Sequence, residues 1–307
     1  MATSEKIGAR LDNWHSGRSG HPWETAQWEV VKKDLRVIAA TLLPDGGHVI
    51  IIDHAALRGL PFHIALAPKW TVSYASDWSA IEAVIGANGL APSRPKLGVL
   101  HAPRSNETVA VREALHASAV RMLHLAKDKG LEVDEAKPGS ADADAFRRLL
   151  ETTDLMKVLC HGQVSREDHQ VVLVVDHEHR SPPGYSFGVT LKTTQGHRFG
   201  RDELAKQRIA SRTIFLGACS GGVMSVGGLD ERTTFASLLA QAGTKSVVAP
   251  RWKIDAELAL PVLDDALSRF IDGMPLAKAV SIASEKAMQR GVPAWQAYAF
   301  VIEGAWI

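Results

Sequence analysis

Apolar residues along this chain recur at two spacings, and their order predicts alternating helices and strands. Trp28, Val31, Leu35 and Ala39 return every three or four residues, so Trp23 to Leu43 reads as a helix that Pro44-Asp45-Gly46-Gly47 ends. His48 to Asp53 (His-Val-Ile-Ile-Ile-Asp) has no polar face, which predicts a strand buried between helices and not an edge strand. A second apolar run covers Lys96 to His101. Beyond it the pattern predicts a helix over Glu107 to Lys129, a short strand over Leu131 to Val133 and a helix over Ala141 to Thr152. Leu155 to Cys160 reads as a strand ending in a His161-Gly162 turn. Val171 to Asp176 is another strand, followed by a polar excursion to about His197. Phe199 to Leu204 starts a short helix, and Thr213 to Gly217 is a strand. A helix over Glu231 to Ala242, a strand over Lys245 to Ala249, helices over Asp255 to Ile271 and Pro275 to Arg290, and a last strand at Tyr298 to Ile302 complete the reading.

Strands that alternate with helices of ten or more residues predict a mostly parallel sheet covered on both faces, hence an α/β fold. Residues 1–24 are polar and rich in Gly, Ser and His, and are expected to be loosely ordered. The remainder, 25–307, reads as a single domain with an N-terminal helical extension, without internal repeat, heptad run or long linker. Composition narrows the class. With 46% hydrophobic residues the 307-residue chain can bury a full core, and 35 basic against 34 acidic residues leave no charge excess for a nucleic-acid or membrane-surface partner. The chain opens on Met1-Ala2-Thr3-Ser4-Glu5-Lys6 and carries no apolar stretch of about 20 residues, so a cytoplasmic setting is expected.

Cys160 and Cys219 are the two cysteines, too few for a disulfide framework or a Cys-rich zinc module. Cys219 stands in Ala218-Cys219-Ser220-Gly221-Gly222, just past a strand. His161-Gly162 follows another strand 58 residues earlier. Reactive groups gather at such carboxyl ends in open parallel sheets. A thiol becomes a nucleophile when a neighbour takes its proton, and a facing imidazole does so. Small residues around Cys219 admit a substrate backbone. The amides of Cys219 and Gly162 are candidate oxyanion donors, each of a kind worth about 10²–10³ in rate. Cys160 is read as core, because alternation sends it to the face opposite His161. His101 also ends a strand and is the rival base, but no glycine follows it.

Six segments bear a family likeness. They are His48-Val-Ile-Ile-Ile-Asp53 with Leu57-Arg-Gly-Leu-Pro-Phe-His-Ile-Ala-Leu66, Cys160-His161-Gly162, Leu216-Gly-Ala-Cys-Ser-Gly221, Gly227-Gly228-Leu229 with Phe235 and Ala242-Gly243, Val247-Val-Ala-Pro-Arg-Trp252, and Ala294 to Gly304. In this set and order the chain resembles the CHAT domain, a bacterial caspase-like peptidase domain related to caspases and separases. The likeness covers roughly 25–307. It implies a three-layer α/β/α caspase-like fold, His161 as base and Cys219 as nucleophile in a dyad that needs no third side chain. It also implies backbone help from Gly162 and Cys219, and a protein substrate cut at chosen sites. Many members carry TPR repeats or are paired with a sensor, often in prokaryotic defence. This chain has no TPR array, so a separate activating protein or ligand is the expected partner.

In related enzymes the pocket for the residue before the scissile bond lies near the strand that ends at the tryptophan. Here Arg251, Trp252, Asp255 and Glu257 occupy that stretch. Asp255 or Glu257 would select Arg or Lys, and Arg251 would select Asp or Glu. An ordinary helix start explains the two carboxylates equally well. His169, His177 and His179, with Asp168, Asp176 and Glu178, suggest a metal but lie in a charged polar stretch, and no metal or cofactor is expected. Ser220 to Gly228 fits neither phosphate-loop pattern. Two alternatives to a peptidase stay open: a catalytically silent scaffold domain, and a cysteine-dependent acyltransferase or amidase.

Overall fold

The apolar runs form strands, and the structure, a computed structural model, describes residues 26–52, 60–75, 78, 81–82, 94–103, 107–164, 171–174, 209–218 and 234–305. Among these, the elements in chain order begin with helix α1 (Ala26–Leu42), strand β1 (Gly47–Ile51), α2 (Phe62–Leu66) and β2 (Trp70–Tyr74). The central part is β3 (Leu97–Ala102), α3 (Val109–Asp128), β4 (Val133–Ala136), α4 (Ala143–Thr152), β5 (Leu155–Val164), β6 (Val171–Val174) and β7 (Thr213–Leu216). The chain closes with α5 (Phe235–Gln241), β8 (Ser246–Pro250), α6 (Ala256–Ile271), α7 (Leu276–Gln289), α8 (Ala294–Ala297) and β9 (Phe300–Gly304).

The strands lie in the order β1-β2-β9-β8-β7-β5-β3-β4, with β6 paired to β5 off this path. β4, β3, β5, β7 and β8 are mutually parallel, as are β1, β2 and β9. The two blocks meet antiparallel at β8 and β9. Each face carries its own helices. Leu115, Ala119, Met122 and Ala126 recur at helical spacing along α3 and join α6 and α7 in one core cluster. Phe146, Leu149 and Leu150 of α4 pack with Phe235, Leu238 and Leu239 of α5 in the other. The result is a three-layer α/β/α fold with a mostly parallel sheet.

Helix starts are capped from within the sequence. Thr108 accepts from the Val111 amide, Asp142 from the Ala145 amide, and Thr234 and Ser237 form a reciprocal capping box.

Two expectations are corrected. β1 is the edge of the sheet and not an interior strand: it pairs with β2, and His48 to Ile51 are only half-buried. An all-apolar run reports what covers a strand's faces, not whether both its edges are paired. His161-Gly162 is not a turn either. β5 continues to Val164, with His161 to Val164 opposite Val174 to Val171 of β6. The segment that leaves the parallel sheet gains an antiparallel partner, which keeps its backbone extended.

Candidate active site

The chain's direction across the sheet reverses between β3 and β5, since β4 lies on one side of β3 and β5, β7 and β8 on the other. Crevices at the carboxyl ends of such strands are the usual ligand sites of open α/β sheets. β5 passes through this region with two sets of neighbours. Leu155 to Cys160 pair with Leu97 to Ala102 of β3, and Leu155 to Val158 with Thr213 to Leu216 of β7. Every β5–β7 partnership has an offset of 58 residues. Beyond the last pair, the Gly217 amide donates to the Val158 carbonyl at 2.7 Å. Strand contact is close there: a Cβ on Gly217 would lie 2.7 Å from Leu159 Cδ2, 2.9 Å from Leu260 Cδ2 and 3.3 Å from the Val158 carbonyl oxygen. Ala218 follows, fully buried.

His161 and Gly162 occupy β5 opposite Val174 and Leu173. Cys219 lies outside the described residues, as do Ser220 to Gly228, Asp168, His169, Asp176, His177, Glu178 and His179. Cys160 is buried in the cluster on the α4–α5 face. His101, the rival base, is buried on β3 with its ring 5.7 Å from that of His116. Among the described residues no group of three His, Cys, Asp or Glu side chains is placed to hold a metal ion.

The four pocket candidates divide. Arg251 is buried, with its guanidinium 4.1 Å from the centre of the Tyr74 ring. Trp252 is buried, donates its indole N–H to the Trp295 carbonyl at 2.7 Å and stacks on His63. Asp255 caps α6: its carboxylate accepts the Glu257 amide at 3.0 Å, and its own amide donates to Gln296 Oε1. Glu257 is exposed in the first turn of α6, where it lines a cavity of about 310 Å³ with Glu113, Arg121 and Pro261.

Two buried polar clusters were not anticipated from the sequence. In the first, His63 Nε2 donates to the Tyr298 carbonyl at 2.8 Å, so Nδ1 accepts from the Tyr74 hydroxyl, also at 2.8 Å. Burial, and then the charge of Arg251, lower the His63 pKa to about 3. In the second, Lys157 of β5 is fully buried with its Nζ against Asp264 Oδ1. Ser118 Oγ donates to the same oxygen at 2.7 Å, and Arg121 Nε donates to Oδ2 at 2.7 Å. Burial first, then Arg121, push the Lys157 amine well below its ordinary pKa. A lone lysine inside Leu-Met-Lys-Val-Leu-Cys was the available signal for this cluster.

Residues 25–298 match the CHAT domain, and the chain belongs to that family. Among solved structures it is similar to separase of Saccharomyces cerevisiae in its complex with securin, with a TM-score of 0.59 and 14% identity over 84% of this chain. It spans 15% of that separase chain. It is also similar to a complex of the pro- and mature domains of RgpB from Porphyromonas gingivalis, with a TM-score of 0.58 and 10% identity over 92% of this chain and 69% of that one. At these identities the likeness is one of fold, and the fold is caspase-like. Compared with curated protein sequences, the chain matches none.

Proposed function

We propose that this protein is a cysteine endopeptidase in which His161 takes the proton of Cys219 and the thiolate attacks a peptide carbonyl of a protein substrate. One observation carries the reading. β5 and β7 are adjacent and parallel with a register offset of 58, the same number of residues that separates His161 from Cys219. A register continued past Val158 and Leu216 would bring the two positions level, on the side of the sheet that Leu159 and Gly217 define. The attack forms a tetrahedral oxyanion for which the Cys219 and Gly162 amides are the proposed donors. Collapse to the thioester sends the imidazolium proton to the leaving amine, and water then hydrolyses the acyl-enzyme through the same base.

For the substrate we favour a basic residue before the scissile bond, read by Glu257. Arg251 lies under Tyr74 in the core, and Asp255 is engaged as a helix cap. A protein partner that switches the activity, in a bacterial regulatory or defence system, belongs to the same proposal.

The test is alkylation of Cys219 by iodoacetamide across pH, in the wild type and in His161→Ala. An activated thiol reacts well below pH 8 and loses that limb in the variant. Equal, slow labelling of both proteins, with the profile of a thiol of pKa about 8.5, would remove the peptidase reading.

A further inference from the structure

Lys157 has no packing reason to be a lysine. Its neighbours along β5 on the same face are Leu155 and Leu159, and its register partners are Val99 on β3 and Phe215 on β7, all completely or almost completely buried. An apolar side chain of that length would fill the space. Burying an ionisable pair in place of apolar residues is often neutral or unfavourable for stability, while it selects one geometry. The geometry selected here is specific. Asp264 of α6 collects Lys157 from β5 together with Ser118 and Arg121 from α3, so one carboxylate ties the strand to two of the helices that cover this face.

The tie sits four residues before His161, at the last stretch where, among the described residues, β5 has a neighbour on each side. Past Cys160, β5 pairs with β6 instead. Leucine contacts tolerate sliding by a fraction of a residue, whereas a lysine held at a carboxylate with its oxygens already shared does not. We propose that Lys157 and Asp264 are positioning residues that lock β5 lengthwise and thereby set the reach of His161 toward Cys219. The inference rests on the peptidase reading above.

The test compares the wild type with Lys157→Met and with the double variant Lys157→Met/Asp264→Leu. The single change leaves a carboxylate buried without its lysine and is expected to destabilise. The double change removes both groups. Arg121 can swing to solvent and Ser118 can turn to the Ala114 carbonyl of its own helix. Unfolding midpoints, alkylation of Cys219 across pH and hydrogen exchange of the peptide covering 155–164 are measured on all three. The positioning role predicts that the double variant regains the wild-type midpoint. Its His161-dependent alkylation still falls by up to about 10²-fold, the cost of a small misplacement of reacting groups. Exchange in 159–164 quickens by about tenfold while that of α7 does not change. A double variant that is stable, with wild-type alkylation and exchange, overturns the inference. If the wild-type thiol shows no dependence on His161, the peptidase reading fails instead. The exchange comparison then decides by itself: unchanged exchange overturns the lock, and faster exchange supports it.

Discussion

His63 shows how much a single buried side chain asks of its surroundings. Its ring donates to the Tyr298 carbonyl, accepts from the Tyr74 hydroxyl and lies buried near Arg251, so a second ring proton would have to turn the hydroxyl away and would carry a charge into a dry site beside another cation. The consequence is acid sensitivity. The folded-state pKa of about 3 lies below the unfolded value of 6.5, so the neutral ring contributes fully above pH 6.5 and its contribution is lost as pH falls toward 3. At pH 5 the loss is about 2 kcal/mol from this residue alone. His48, bonded through its two ring nitrogens to Thr71 and Ser73 and lowered to about 4 by burial, adds in the same direction. Urea unfolding of His63→Gln should show a shallower decline between pH 6.5 and 5 than the wild type; parallel declines would contradict the neutral ring. The partners of neither histidine are legible in the sequence. Their environments come from contacts as distant as Tyr298, 235 residues along the chain.

At the scale of elements, local pattern was a good guide wherever local chemistry decides. Helix starts are the clearest case, and Asp255 permits a direct test because a cap and a specificity residue respond differently to the same changes. Asp255→Ala removes the acceptor for the Glu257 amide and should cost about 1 kcal/mol. Asp255→Asn keeps a good cap and should leave the unfolding midpoint nearly unchanged. If Asp255 acts only as a cap, Asn at 255 also preserves the proposed preference for basic residues, which Glu257→Gln is expected to weaken. A peptide panel cleaved by the three variants checks both statements, and a preference lost in Asp255→Asn would return that residue to the pocket. Pattern failed where long-range pairing decides. Apolar pattern does not distinguish β2 or α2, puts β1 inside the sheet and ends β5 at Cys160, because the continuation of β5 depends on β6. The sequence marks His161-Gly162 and Cys219 as candidates only, because residue type says nothing of which strands are neighbours. That their strands are neighbours offset by 58 residues needed the sheet.

At the scale of the molecule, β9 joins two blocks of strands that run in opposite directions. Five register pairs tie it to β8, from Ser246 with Gly304 to Pro250 with Phe300, and Glu303 aligns with Tyr74 of β2 on its other side. Phe300 to Glu303 are buried. The CHAT match ends at 298, two residues before this strand, so family similarity alone does not show that β9 is required. Packing indicates that it is. Gly304 has φ +96°, and a Cβ there would lie 2.4 Å from the Lys245 carbonyl oxygen. That carbonyl accepts the Ala305 amide at 2.7 Å, while Ser246 Oγ donates to the Ala305 carbonyl at 2.8 Å, which closes the end of the seam. Gly304→Ala therefore meets backbone on backbone, where no side-chain rotation relieves the contact. Strained backbone of this kind costs about 1–3 kcal/mol before the clash is counted. Ending the chain after Tyr298 removes the strand and opens the inner edges of β8 and β2 together. The expected result is a substantially lower unfolding midpoint for Gly304→Ala and no cooperative unfolding transition for the truncated chain, followed by calorimetry. A truncated chain that unfolds cooperatively at the wild-type temperature would mean that the two blocks hold together without their seam.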